Sequence, residues 1–436
     1  MRGPHYPRPR DARLSVMKSA LLAMAAIPLF AADPSGTWEL IMRGGQTVSA
    51  NRTTVSVKDG KYEFLLMGMS YRGTADGERI RFTCTDGTRD CGGFTASFTG
   101  ETMTASGNLD GIPMEWTGRR PAARPGTPSR HEFVPSTFYR QFSADTAPAL
   151  RIFPGDTVHT TTVDAGGRDQ NGERRVFGGN PLTGPFYVEG AMPGDVLVVK
   201  LNRVRLNRDT AQSGDQVVPS ALNPGMLRDL PRIKEFDATW ALDRAVGVGR
   251  LKNPTPKLQN FQVPLRPMMG CIGVAPPAHQ TFRSGDLGDW GGNLDYNQMV
   301  EGVTVYFPVN TPGALLYIGD GHAAQGDGEL TGDALETSME VEFTVDVQTN
   351  VPFFRPRIES DEYVMFSGVA NSLGEALQAA TSAMSRYLAT RYGLNPAEAG
   401  VVLGSSMKYD IAEVVDPRVH VVAKLSKKVL EGLKAQ

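Results

Sequence analysis

The stretch Gly319-Asp320-Gly321-His322-Ala323-Ala324-Gln325-Gly326-Asp327-Gly328-Glu329 gathers five side chains that can ligate a cation or move a proton: Asp320, His322, Gln325, Asp327 and Glu329. Four glycines are set among them, and glycine lets a backbone bend sharply enough for such groups to converge. A solvated loop accounts for one Asp-Gly pair, but not for a histidine, a glutamine and three carboxylates together. If the segment is extended, Asp320 and His322 share a face at i and i+2 and can approach one cation. A borderline metal such as zinc takes imidazole nitrogen and carboxylate oxygen, and a catalytic site keeps one position open for water. Such a cation lowers the pKa of water, and a nearby carboxylate must then take the proton and hand it to a leaving group. Glu329 is the nearest candidate for that base. Glu336, within Leu335-Glu336-Thr337-Ser338, is the alternative, because an acid in an apolar run needs a reason to be there.

Two further stretches can complete a ligand set. Gly291-Gly292-Asn293-Leu294-Asp295 places Asn293 and Asp295 on one face after a glycine turn, with Asn293 able to steady a developing oxyanion. The run from Val158 to Val163 ends in Asp164, an acid at the mouth of a β-like segment. Asp295, Asp320 and His322 are thus the expected metal ligands, with Asp164 as a fourth. Of the six histidines, His5 falls in the leader, and His131, His159 and His420 read as structural. His279 sits in a loop after Pro276-Pro277, without supporting neighbours.

These side chains have to be positioned by a β-rich frame. The chain has 436 residues, with 48 glycines and 30 prolines, which favours many turns. A net charge of −2 gives no reason to expect a nucleic-acid partner. Residues 1–16 are basic and proline-rich. Met17-Lys18 then opens an apolar run that leaves through small residues, so Met17 reads as the true start and Ala31 or Ala32 as the cleavage point of a signal peptide. The run is too short to anchor the mature chain in a bilayer, so a periplasmic or extracellular protein is expected. Cys84 and Cys91 flank a turn and are expected to form a disulfide there. Cys271, between apolar neighbours, reads as a buried small hydrophobe.

Short segments at Thr37–Ile41, Thr54–Val57, Tyr62–Leu66, Arg79–Phe82, Thr95–Phe98 and Met114–Trp116 predict a small antiparallel β barrel or sandwich over 33–119. Residues 120–130 form a proline-rich linker, and 131–436 a larger, β-sandwich-like domain with a few helices near its C-terminal end. Ser372 caps an expected helix from Leu373 to Tyr392, with Glu375 completing a capping box and Gly393 stopping it. Its stripe of Leu373, Leu377, Ala380, Met384, Tyr387 and Leu388 predicts a core face. A second helix is expected from Asn395 to Leu403, with Pro396 in its first turn.

Several phrases in order resemble the acetamidase/formamidase family: Leu182 to Asp195, Gly270 to Pro276, Gly291 to Asp295, Phe307-Pro308-Val309 and the loop from Asp320 to Glu329. The resemblance covers 131–436 and leaves the N-terminal β domain outside. It implies a β-rich hydrolase of non-peptide linear amides, releasing ammonia and a short carboxylic acid. It also implies a small amide substrate, a bound divalent metal and a soluble homo-oligomer. The family's motif residues fall here on Asp164, Asp295, Asp320, His322 and Glu329. An alternative from another class is an exported binding protein in which calcium stiffens the Asp/Gly loop while the N-terminal barrel holds the ligand. A third is a hydrolase whose nucleophile is Cys271 or Ser338.

Overall fold

The computed structural model describes residues 33–229 and 236–434. The leader expected over 1–32 lies outside the described residues. Among the described residues, no helix is long and apolar enough to cross a membrane.

Eight strands, Gly36–Gly44, Thr47–Lys58, Lys61–Leu66, Met69–Asp76, Arg79–Asp86, Arg89–Thr99, Thr102–Leu109 and Ile112–Arg119, close into an antiparallel barrel. The first strand pairs with the last, with Met42 opposite Trp116. Alternation sets the faces. In Arg79–Asp86, for example, Ile80, Phe82 and Cys84 point inward while their neighbours face solvent. The interior is filled by Trp38, Tyr71, Phe82, Phe94 and Trp116, with the Phe94 and Trp116 ring centroids 4.1 Å apart. Side chains therefore occupy the space that the binding-protein alternative needs for a ligand. Two of the strands, Met69–Asp76 and Thr102–Leu109, escape the sequence pattern. Their core-side positions include Gly73 and Gly107, which are small because the Phe82 ring sits against the first and the Phe94 backbone and Cβ against the second. Cys84 and Cys91 form the expected disulfide across their hairpin.

The barrel is fastened to the larger domain by arginines. Arg52 pairs with Asp195 at 3.0 Å and donates to the Gly190 carbonyl. Arg119 reaches Glu39 at 3.0 Å, Glu189 at 3.4 Å and the Tyr187 hydroxyl at 3.1 Å.

The larger domain packs an 11-stranded sheet against a 9-stranded one, and one continuous apolar core runs through it. The first sheet positions the residues of interest. Its strand Leu316–His322 is buried along its whole length. Met268–Gly273 lies along one edge, with Met268 opposite His322 and Cys271 opposite Gly319. On the other edge lie Leu182–Val188 and then Glu336–Thr337, with Glu336 opposite His322. Gly291–Asn293 pairs in turn with Met268–Gly273, so Asn293 stands opposite Cys271.

The second sheet is covered by the helix Leu373–Tyr392, which packs on the strands Tyr363–Ala370 and Val419–Ser426. Ser372 caps it, and Gly393 ends it at a φ of 67°. The buried face differs from the expected stripe. Ala376, Ala380, Ala383, Met384 and Leu388 are inside, whereas Leu373 and Leu377 are exposed. The reason is close approach: a Cβ at Gly368 would sit 2.0 Å from the Ala376 carbonyl oxygen, so the contact is built from small residues. The second helix runs Pro396–Ser406 under a full capping box from Asn395 and Glu398, past the expected end at Leu403.

His420, on Val419–Ser426, is fully buried, and its Nδ1–H donates to the Leu294 carbonyl at 2.7 Å. Burial lowers its pKa to about 4, below the ordinary value of 6.5. Above pH 6.5 the ring is neutral in both folded and unfolded chains. As pH falls from 6.5 towards 4 the unfolded chain takes up a proton that the native one refuses, so stability drops over that window. Lowering the pH from 6.5 to 5 is expected to cost about 2 kcal/mol through this residue. Urea unfolding at the two pH values should show a loss smaller by that amount in His420→Asn.

Candidate functional site

Asp320, Glu329 and Glu336 line a cleft of about 1200 Å³, and the buried Asp295 and His322 come together with them. Ligand atoms of Asp295, His322 and Glu329 lie within 4.8 Å of one another, and so do those of Asp320, His322 and Glu336. His322 Nε2 is the hub. It stands 3.0 Å from Glu336 Oε1, 3.6 Å from Asp320 Oδ2 and 3.9 Å from Asp295 Oδ1. None of these approaches has hydrogen-bond geometry; Nε2 and Asp295 Oδ1 are buried without hydrogen-bond partners, and so are the second oxygens of the other two acids, Asp320 Oδ1 and Glu336 Oε2. Buried polar atoms are normally satisfied. Four unsatisfied ones on four clustered side chains, three of them carboxylate oxygens, could together hold a cation.

The electrostatics agree. Burial, and then the charge of Glu329, push the Asp295 carboxyl well above the carboxylate range. Burial raises Glu336 in the same way and lifts Glu329 to about 7. Burial alone would lower the His322 pKa, but the carboxylates of Glu336 and Asp320 outweigh it and hold the ring well above its usual value. Without positive charge from elsewhere, these groups must retain protons. A divalent cation would displace them. The residues present therefore fit a metal ion.

Room for the cluster depends on a missing side chain. A Cβ at Gly270 would lie 2.3 Å from Asp295 Oδ1 and 2.9 Å from Asp320 Oδ2. Three of the acids also sit in the left-handed backbone region: Asp295 at φ 37°, Asp320 at φ 56° and Glu329 at φ 48°. The strand that carries Asp320 and His322 is therefore not regularly extended, although both side chains still reach one point.

Asn293 is placed beside the acids, but not as the sequence suggests. Its Nδ2 donates to Asp295 Oδ2 and, at 2.7 Å, to Asp416 Oδ2. Its Oδ1 accepts from Asn180 Nδ2 at 3.0 Å and from the Cys271 thiol. With both N–H groups committed, it has none to offer a substrate oxyanion, and its expected role is corrected to that of a brace for two carboxylates. Asp164 is also corrected as a ligand. Its Oδ2 accepts from Arg208 Nη2 at 2.6 Å and its Oδ1 from the Arg168 backbone N–H at 2.8 Å, so an arginine already neutralises this buried acid. The nucleophile alternatives are poorly served. Burial pushes the Cys271 thiol well up, and Ser338 Oγ donates to Asn207 Oδ1 at 2.6 Å, away from any base.

His131 pairs with Asp156 at 3.1 Å, His159 lies between Glu132 and Glu340, and His279 pairs with Asp145 on the surface. Sequence reasoning missed Asn180, Glu413 and Asp416. Asn180 Nδ2 bridges Asn293 and Asp320 Oδ2, the latter at 3.0 Å. Asp416 lines the cleft with a pKa raised to about 8 by burial and by neighbouring Glu413, itself raised to about 7 by burial. The signal that singled out Glu336 was available for Glu413, an acid inside Ile411-Ala412-Glu413-Val414-Val415.

Gly270→Ala should test the packing of the carboxylates. The added methyl group must displace Asp295 or Asp320 by a large part of an ångström. A fall of about 100-fold in turnover is expected, with an unchanged far-ultraviolet circular dichroism spectrum.

The sequence profile of the Acetamidase/Formamidase family matches residues 135–284 and 278–431. A Schizosaccharomyces pombe protein provisionally named a formamidase is 27% identical over 247 residues, which cover 44% of this chain and 59% of that one. The formamidase of Methylophilus methylotrophus is 27% identical over 195 residues, covering 34% and 47%. The chain thus spans about half the length of the curated relatives it matches. The crystal structure of an acetamidase from Bacillus halodurans superposes with a TM-score of 0.58 at 28% identity, over 69% of this chain and 99% of that one. The barrel, which ends at Arg119, lies before the matched region. The match takes in more than half of the sequence and includes every residue of the acidic cluster, and on that ground the chain belongs to the Acetamidase/Formamidase family.

Proposed function

We propose that this protein is a metal-dependent hydrolase of non-peptide linear amides, releasing ammonia and a carboxylic acid. The observation that carries the reading is the cluster of buried Asp295, Asp320 and His322, with His322 Nε2 and Asp295 Oδ1 unpartnered, beside a cleft lined by Asp320 and Glu329. Family membership and the formamidases and acetamidase it resembles support the substrate class.

Asp295, Asp320 and His322 would hold the ion. A divalent cation there supplies Lewis acidity, polarising an amide carbonyl and lowering the pKa of water. Glu329 lines the cleft, and in this reading it would accept the proton of the attacking water and return it to the departing ammonia. Its carboxylate shares the Ala334 backbone N–H with Glu336, at 3.1 and 2.9 Å, so the two acids adjoin and a proton can be held between them. Asn293 and Asn180 keep Asp295, Asp320 and Asp416 apart and oriented. Zinc is the metal we favour, because imidazole nitrogen is in the shell. The wealth of carboxylate oxygens makes calcium the alternative. A calcium-stiffened binding protein without hydrolase activity would keep its ligand affinity in His322→Ala.

Export, by way of the segment before residue 33, is part of the same proposal and is supported by the Cys84–Cys91 bridge, since disulfides persist in oxidising compartments. A homo-oligomeric assembly is proposed from the family resemblance.

Elemental analysis of the purified chain, beside an ammonia-release assay over a series of short amides, tests the central reading. Activity should vanish on chelation and return with zinc. Full turnover in a demonstrably metal-free preparation would end the metal mechanism. Glu329→Gln should lower turnover by about 100- to 10,000-fold while metal content stays the same. Loss of the metal in that variant would instead make Glu329 a ligand.

A further inference from the structure

The loop that follows His322 carries Gln325, which the scheme above does not use. Gln325 Oε1 lies 2.9 Å from His322 Nδ1. Its Nε2 faces two backbone carbonyls, that of Asp295 at 2.5 Å and that of Ala412 at 3.2 Å. This fixes the amide's orientation. Turned over, Oε1 would meet two carbonyl oxygens, acceptor against acceptor, and Nε2 would lose both partners. With Oε1 set towards the ring, Nδ1 can only donate to it. The proton of a neutral imidazole is therefore held on Nδ1, and the lone pair falls on Nε2, the atom that faces Asp295, Asp320 and Glu336.

We propose that Gln325 is a positioning residue that locks His322 in its Nδ1–H form, so that the ring acts through Nε2 alone, as a ligand rather than a proton carrier. The inference rests on the reading of the cluster as a cation site. It goes further in assigning the imidazole proton and in leaving proton movement to the carboxylates. One side chain also sets the spacing of two ligands, because the amide that orients His322 is anchored on the backbone of Asp295. Its third anchor, Ala412, belongs to the strand Lys408–Glu413, which also receives the Gly328 N–H. The loop is thereby strapped to the C-terminal part of the domain.

The test uses the full chain labelled with ¹⁵N-histidine and loaded with cadmium as the probe ion. Zinc affinity is measured in parallel by competition with a chromophoric chelator. In the unmodified chain, Nε2 of His322 should couple to cadmium while Nδ1 carries a proton. Gln325→Met keeps the length of the side chain and removes the acceptor. It should weaken zinc binding by about 10- to 100-fold and replace the single coupled form by a mixture. Gln325→Glu keeps the acceptor and loses the two donors. It should retain the single Nε2-coupled form while its melting temperature falls, which separates positioning of the ring from simple stabilisation of the loop. A Gln325→Met chain with unmodified affinity and coupling overturns the inference. An unmodified chain that binds neither ion overturns the metal reading instead.

Discussion

One imidazole among buried carboxylates is the constraint on which the rest of this structure depends. Asp295, Asp320, Glu329 and Glu336 all approach His322, and each is nine-tenths buried or more. Taking a carboxylate out of water costs several kcal/mol unless opposite charge or hydrogen bonds replace the solvent. Asp164 shows how the same fold handles an ordinary buried acid: Arg208 closes on it, and the backbone takes its other oxygen. No arginine or lysine does this for the central four among the described residues. Their positive partner is a histidine that presents one nitrogen to all of them. The arrangement is unfavourable without added charge, and a bound cation would relieve it.

The fold meets that demand through register and through space. Antiparallel pairing sets Glu336 opposite His322 and Asn293 opposite Cys271, so residues far apart in the chain are fixed to within a strand spacing. Gly270, on the strand Met268–Gly273, contributes its lack of a side chain and a carbonyl that accepts the Leu294 and Asp295 N–H groups. Asp295, Asp320 and Glu329 adopt left-handed backbone conformations, each a cost of roughly 1 kcal/mol that the surrounding pairing must offset. Such strain is tolerable because the strands carrying Asp320 and Asn293 are buried on both sides and cannot relax towards solvent.

Legibility in the sequence followed locality. The 319–329 loop stood out because charge, imidazole and glycine are crowded into one window, and Asn293 and Asp295 stood out because they are two residues apart. Both readings concern groups that the chain itself holds close. Asp164 was misread because an acid at a strand end looks the same whether it awaits a cation or an arginine, and Arg208 lies 44 residues away. Asn293 was found but misassigned, since its partners Asn180, Cys271 and Asp416 come from three separate segments. The barrel was legible where large apolar residues alternate with polar ones. It was not where Gly73 and Gly107 make way for Phe82 and Phe94 of neighbouring strands. The helix at 373–392 gave the same lesson. Its caps are local and read correctly, whereas its buried face was set by close approach to Gly368, which no periodicity within the helix can report.

The same non-locality bears on how the site comes into being. Its parts are drawn from segments around residues 180, 270, 293, 320, 336 and 413, and the loop bearing Gln325 and Glu329 is strapped to the last of these through the Gln325 amide and the Gly328 N–H. An unfolded chain offers no such constellation, so whatever binds there binds the native state alone, and its binding free energy adds to the stability of the whole larger domain. The acids oppose that stability until they are neutralised, which makes protons and cations competitors for one set of oxygens. The strand Lys408–Glu413 is then more than a cover. That strand and the turn after it hold Ala412 against the loop and Asp416 against Asn293, and so keep the carboxylates near enough to repel one another.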